Sequence, residues 1–142
     1  MNTIKQNTAD VTIPEKIKLS GLWAALVFLY IYADIFSLYK PGQIGEVAAG
    51  RMGPLPVTQG SLFTASILML IPAVMVFLSL ALKPTVARWL NIVLGVFYIA
   101  VNIGNLLGES WAFYFLFGIV EMALTLLIVW YAWKWRNAEG QL

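Results

Sequence analysis

Residues 89–109 read WLNIVLGVFYIAVNIGNLLGE. Nearly every position is large and apolar, as a membrane span requires. The exceptions Asn91, Gly95, Tyr98, Asn102, Asn105 and Glu109 follow one another at +4, +3, +4, +3, +4, and only the glycines Gly104 and Gly108 fall off the series. That spacing puts all six on one stripe of a helix, at the 3.5-residue repeat of a packed seam. A polar group facing lipid leaves its hydrogen bonds unmade, so the stripe must face protein or water. It reads as the inner wall of a helical bundle.

The bulk composition agrees. The chain has 142 residues, 61% hydrophobic and 11% charged, with a mean hydropathy of +0.80. A soluble domain carries about 25% charged residues, so this balance belongs to a membrane protein. A net charge of +2, with no basic patch, gives no footing for nucleic acid. With no cysteine, disulfide exchange, iron–sulfur ligation and thiolate catalysis are excluded. With no histidine, haem ligation, the common zinc sites and the usual general base go too. The sequence implies no cofactor and no metal.

Working outward, the chain is expected to form a single membrane domain over 1–142. A polar tail covers 1–16, and spans lie at about 17–39, 58–82, 86–108 and 111–135. The run Leu19–Leu38 exceeds the roughly 7–15 residues of a signal-peptide core, so it reads as a retained first span. Lys40-Pro41-Gly42 stops that span, and 40–57 forms the only long connection, with one or two helical turns expected between Gln43 and Arg51. Pro72 sits mid-way along span two, where it must free a backbone carbonyl. Lys83-Pro84-Thr85 and Gly108-Glu109-Ser110 are tight links, with Gly108 suited to end one helix and Ser110 to cap the next. The fold class is therefore an all-α antiparallel four-transmembrane-helix bundle. Gly95, Gly104 and Gly118 are expected at close approaches, and Gly104 to Gly108 makes one Gly-x-x-x-Gly face.

Seven basic residues (Lys5, Lys16, Lys18, Lys83, Arg88, Lys134 and Arg136) flank one side, against Lys40 and Arg51 on the other. By the positive-inside rule both termini are cytoplasmic. Trp23, Trp89, Trp130, Trp133 and Trp135 then mark the inner interface, and Tyr39, Trp111 and Tyr114 the outer.

Two acids lie within the spans. Asp34 has Tyr30 and Ser37 one turn away on its own face. Counting from the turn near 109–110 at about 1.5 Å per residue sets Tyr98 opposite Glu121, roughly 17 Å deep, and Asn105 level with Asp34. A charge there costs on the order of 2.5–3.5 kcal/mol even on the lenient insertion scale. All nine basic residues lie in flanks or loops. Glu121 must then be protonated, hydrogen-bonded to Tyr98 or Asn102, or neutralised from outside the chain. Asp34 lies within reach of Arg51 or Lys40. Ser66 and Thr125 are further candidates for lining the space between the acids.

Ala33-Asp34-Ile35 late in span one, Lys40-Pro41-Gly42 with the glycine-rich loop after it, and Asn102 with Asn105 resemble a group of small four-span bacterial membrane proteins of unknown function. The layout is also similar to the DoxX-like group. That resemblance implies a bacterial inner-membrane protein with no established activity. The missing cysteines argue against the quinone-linked thiol oxidases of similar size.

Three functions stay open. The first is binding or transport of a small cation, amine or proton-coupled solute in an outward-facing pocket lined by Asp34, Tyr98, Asn102, Asn105 and Glu121. The second is a structural or accessory subunit whose stripe only holds helices together. The third is an intramembrane enzyme on a lipid-like substrate, with Glu121 as acid. The partners expected are the lipid bilayer, a small-molecule or cation ligand and further copies of the chain.

Overall fold

A computed structural model describes residues 12–135. Four helices, α1 (Glu15–Ser37), α3 (Gln59–Ala81), α4 (Pro84–Leu106) and α5 (Ala112–Lys134), have 23 residues each. At 1.5 Å per residue each is about 34 Å long, enough to cross a hydrocarbon core of about 30 Å. A short helix α2 (Gln43–Ala48) and a two-stranded hairpin, β1 (Arg51–Met52) with β2 (Leu55–Pro56), fill the long connection. The helical turns expected after Gln43 thus form, and the hairpin is an addition that the sequence did not announce. Lys5 and Arg136, counted above for orientation, lie outside the described residues.

The four long helices pack in a ring. α1 lies against α3 and α5, and α4 lies against α5 and α3, with the α3–α4 seam the sparsest of the four. Leu19, Trp23, Leu26 and Tyr30 of α1 form the spine of the core, with Met75, Ile92, Tyr98, Ile128 and Ala132 around them. Burying this set stabilises the bundle against loosely associated helices through packing and hydrogen bonds, since lipid is as apolar as the core.

Local chemistry fixes the helix ends. Thr58 and Ser61 make a reciprocal capping box at the start of α3. Pro84 occupies the first turn of α4, where its missing N–H costs nothing. Gly108 ends the α4 segment at φ +81°, a left-handed conformation that suits glycine. Ser110, expected to cap α5, does not. Glu109 Oε1 instead accepts from the backbone N–H groups of Ser110 at 2.9 Å and Trp111 at 3.1 Å.

The α4–α5 seam is set by two close approaches. A Cβ on Gly95 would stand 2.7 Å from Val129 Cγ2, and one on Gly118 would stand 2.5 Å from Leu106 Cδ2. Gly104 departs from expectation, because a Cβ there meets nothing within 4 Å, and the same holds at Gly108. The Gly-x-x-x-Gly pair is therefore no packing face among the described residues.

Two large side chains also lie elsewhere than expected. Trp23 is fully buried rather than placed at an interface, with its indole N–H donating to Asn91 Oδ1 at 2.7 Å. Buried indole nitrogens need such a partner, and the stripe supplies it. Arg88 is buried in the second turn of α4 rather than lying in a flank. Its Nε donates to the Ala132 carbonyl at 3.1 Å, and its guanidinium sits 5.1 Å from the Trp89 ring centre.

Candidate functional site

The stripe on α4 divides into two parts with different employment. At the end away from the long connection, Asn91 accepts from Trp23 and donates to the Ala87 carbonyl at 2.7 Å and to Ser79 Oγ at 3.2 Å. One step further along, Tyr30 donates its hydroxyl to Asn102 Oδ1 at 2.7 Å, and Asn102 Nδ2 donates to Thr125 Oγ1 at 3.4 Å. Three helices are joined at each level. Asn91 and Asn102 are fully buried and spent on holding the bundle.

Tyr98 lies between these levels and answers a different need. Proline lacks the N–H that would bond the carbonyl four residues earlier, so Pro72 strands the Leu68 carbonyl of α3. The Tyr98 hydroxyl donates to that oxygen. Together with the Asn91–Ser79 bond, it bridges the sparse α3–α4 seam.

Toward the loop end the helices part around two cavities. A chamber of about 210 Å³ is lined by Tyr30 and Asp34 of α1, Tyr98 and Asn105 of α4 and Tyr114 of α5, with apolar side chains of α3 and Met52 closing it. A larger one of about 760 Å³ lies toward the connection, under α2 and the hairpin. Asp34, Met52, Asn105 and Tyr114 line both, so they form the passage from one to the other. Asp34 is exposed to this space.

The charges around the larger cavity are largely matched among themselves. Lys40 Nζ stands 2.8 Å from Glu109 Oε2, with only 16% and 15% of the two side chains exposed. The same ammonium lies 5.3 Å from the centre of the Tyr114 ring and 5.5 Å from that of Phe113. Arg51 Nε stands 2.6 Å from Glu46 Oε2. Desolvation alone would raise the Glu109 carboxyl, but the Lys40 ammonium and the N–H groups of Ser110 and Trp111 outweigh it and hold the group below its ordinary range.

Neither cation expected for Asp34 therefore reaches it. The ion pairs among the described residues are Lys18–Glu15, Lys40–Glu109 and Arg51–Glu46, and both intramembrane acids are left out of them. Glu121 is buried, and the partners proposed for it donate elsewhere, Tyr98 to Leu68 and Asn102 to Thr125. It lines neither cavity. Of the five residues that the sequence grouped, Asp34, Tyr98 and Asn105 come together in the smaller chamber, while Asn102 and Glu121 stand behind its wall. Ser66 and Thr125 do not line it either. Ser66 is exposed and donates to the Leu62 carbonyl at 2.8 Å, and Thr125 is buried and donates to the Glu121 carbonyl at 2.9 Å. Tyr30 and Tyr114 join the lining unforeseen. Tyr30 carried a signal in its i, i−4 relation to Asp34, whereas Tyr114 read as an interface anchor.

A family model matches residues 12–141, most of the 142-residue chain. The chain belongs to the family of unknown function DUF6326. No curated protein and no solved structure matches it. The short motifs around Asp34, Lys40 and the two asparagines thus pointed to a real grouping, while the likeness to the DoxX-like group gains no match. As a DUF6326 protein with four helices long and apolar enough to cross a bilayer, this is a membrane protein.

Proposed function

We propose that this protein binds, and in its working cycle translocates, a small cation, amine or proton-coupled solute at the chamber around Asp34. The single observation that carries the reading is the isolation of Asp34. It lines both cavities, while the two cations of the loop end are engaged by Glu109 and Glu46. An intramembrane carboxylate without an ion-pair partner among the described residues is a functional group by default. Glu121 is the second intramembrane acid and stands behind the chamber wall. In this reading the protein is a homo-oligomer of a bacterial inner membrane, with the loop end outside and both termini cytoplasmic, and the excess of basic residues at the other end supports that orientation.

The test is reconstitution into liposomes, with uptake of protons, alkali cations and simple amines followed for the parent, Asp34→Asn and Glu121→Gln. The proposal expects loss of binding and uptake in Asp34→Asn. Parent-like behaviour of both variants toward every solute would end it.

A second reading has its own support. Asn91 and Asn102 are committed to interhelical hydrogen bonds, as a purely structural subunit would have them. Under that reading Asn102→Leu disrupts assembly while Asp34→Asn and Glu121→Gln are mild. The structural role of the asparagines and a binding role for Asp34 are compatible, because they occupy different levels of the bundle.

A further inference from the structure

The hydrogen bonds that hold α3 are spread unevenly along it, and they divide it at Pro72. From Pro72 onward the helix is pinned by both α1 and α4. Ser20 Oγ donates to the Val76 carbonyl at 2.7 Å, and Lys16 Nζ donates to the carbonyls of Leu80 at 3.2 Å and Leu82 at 2.6 Å. From the other side Asn91 Nδ2 donates to Ser79 Oγ at 3.2 Å. The buried residues of α3, Pro72, Met75 and Ser79, all lie in this half. The half nearer the long connection, residues 59–71, has none. Its hydroxyls are spent locally. Thr58 and Ser61 cap the helix, Thr64 donates to the Gly60 carbonyl and Ser66 to that of Leu62. Among the described residues, the one side-chain bond from another long helix to this half is that of Tyr98 to the Leu68 carbonyl.

Resting on the reading above, we infer that residues 59–71 form a hinged gate over the Asp34 chamber, with Pro72 as the hinge and the Tyr98 hydroxyl as the latch. Ala65, Leu68 and Met69, all in this half, wall the smaller chamber, and Val101 and Asn105 line it from α4. The helix lacks one backbone bond at Pro72, so its two halves can tilt against each other with less resistance than in an unbroken helix. The carbonyl stranded there is the one that Tyr98 takes up, which sets latch and hinge one turn apart. The seam that opens is the one with α4, the sparsest of the ring, while α3 leans chiefly on α1. The segment before the gate does not pin it. No residue of α2 is buried, and Arg51 at the start of the hairpin pairs with Glu46 of α2 itself. Releasing the latch gives up one interhelical bond, worth about threefold in an equilibrium between membrane helices, so opening lies within thermal reach.

The chain contains no cysteine, so introduced ones are the only sites that a thiol label finds. The test uses the full-length protein in nanodiscs, with no added solute, and electron–electron distance measurements between paired spin labels. One pair, Phe63→Cys with Ile103→Cys, joins exposed positions on the gate and on α4. A second pair, Phe77→Cys with Val93→Cys, joins exposed positions of the same two helices beyond the hinge. The first pair alone should show a second, longer distance. Its share should grow about threefold in Tyr98→Phe and vanish in Pro72→Ala, where the helix regains its N–H. Reaction of Val101→Cys with a water-soluble thiol reagent should follow the same order, because Val101 lines the smaller chamber and not the larger. A single first-pair distance unchanged by Tyr98→Phe would overturn the gate, as would equal broadening of both pairs or a Val101→Cys rate indifferent to Tyr98→Phe. None of these outcomes touches the binding reading, which Asp34→Asn tests separately. Loss of that reading with the first pair still moving would leave the hinge standing.

Discussion

The Tyr98 hydroxyl donates to the Leu68 carbonyl, the one backbone acceptor that Pro72 leaves without its helical donor. Proline in the middle of a span and tyrosine on the next helix are thus two halves of one device. Tyr98→Phe should destabilise the bundle by about 1 kcal/mol, the usual worth of an interhelical bond in a membrane. Pro72→Ala restores the missing N–H, so the Tyr98→Phe loss should shrink in that background. Equilibrium unfolding in bicelles over the double-mutant cycle measures the coupling, and strict additivity would show that the bond does not serve this purpose.

The glycines are predicted to rank by what faces them. Gly95→Ala drives a methyl into Val129, whose β-branched side chain has little freedom to turn aside. A loss of about 1–3 kcal/mol is expected, the range of overpacking. Gly118→Ala meets the Leu106 side chain at Cδ2, Cδ1 and Cγ, and as leucine is not β-branched and can swing, it should cost less. Gly104→Ala meets nothing and should be neutral or stabilising, since alanine is the better helix former. Thermal melts of the three variants suffice.

Asn102→Leu should destabilise by about 1–3 kcal/mol, because it leaves the buried Tyr30 hydroxyl without an acceptor. Asn105→Leu should be mild in the same unfolding assay, as that side chain borders the cavities rather than joining helices. A similar cost at both positions would mean that the stripe is employed uniformly along its length.

The Lys40–Glu109 pair gives a pH dependence whose sign is fixed. The Glu109 carboxyl is held below its ordinary value of 4.5 in the folded protein. Its stabilising contribution is therefore complete above that value and is lost as pH falls through the lower, folded one. Melting temperatures recorded from pH 7 to pH 3 should fall more steeply for the parent than for Glu109→Gln, and parallel curves would show that the pair contributes nothing.

The fold was legible because a bilayer leaves little choice. Twenty-odd apolar residues between Lys40-Pro41-Gly42 and similar stops must become a helix, and the observed ends fall within a few residues of those expected. The α4 stripe showed which side faces inward but not what would meet it there. A helical face is a local property, whereas the Lys40–Glu109 pair and the Trp23–Asn91 bond join residues more than sixty positions apart. Trp23 and Tyr114 mislead for a common reason. An aromatic residue with one polar atom suits an interface and a buried hydrogen-bonding niche equally well. Asp34 was legible as an isolated acid, but its isolation depended on Lys40 and Arg51 finding other carboxylates.

The thin seam between α3 and α4 has a consequence for how the chain comes together. α3 is joined to α4 by a link of two residues, yet it leans chiefly on α1, which precedes it across the whole loop. The α4–α5 hairpin is the most intimate pair and is complete without any residue before Pro84. The protein is accordingly built of two helical hairpins divided at Leu82–Lys83. Halves cut there and synthesised separately should find each other in the membrane, and the later hairpin should insert and close without waiting for the earlier one.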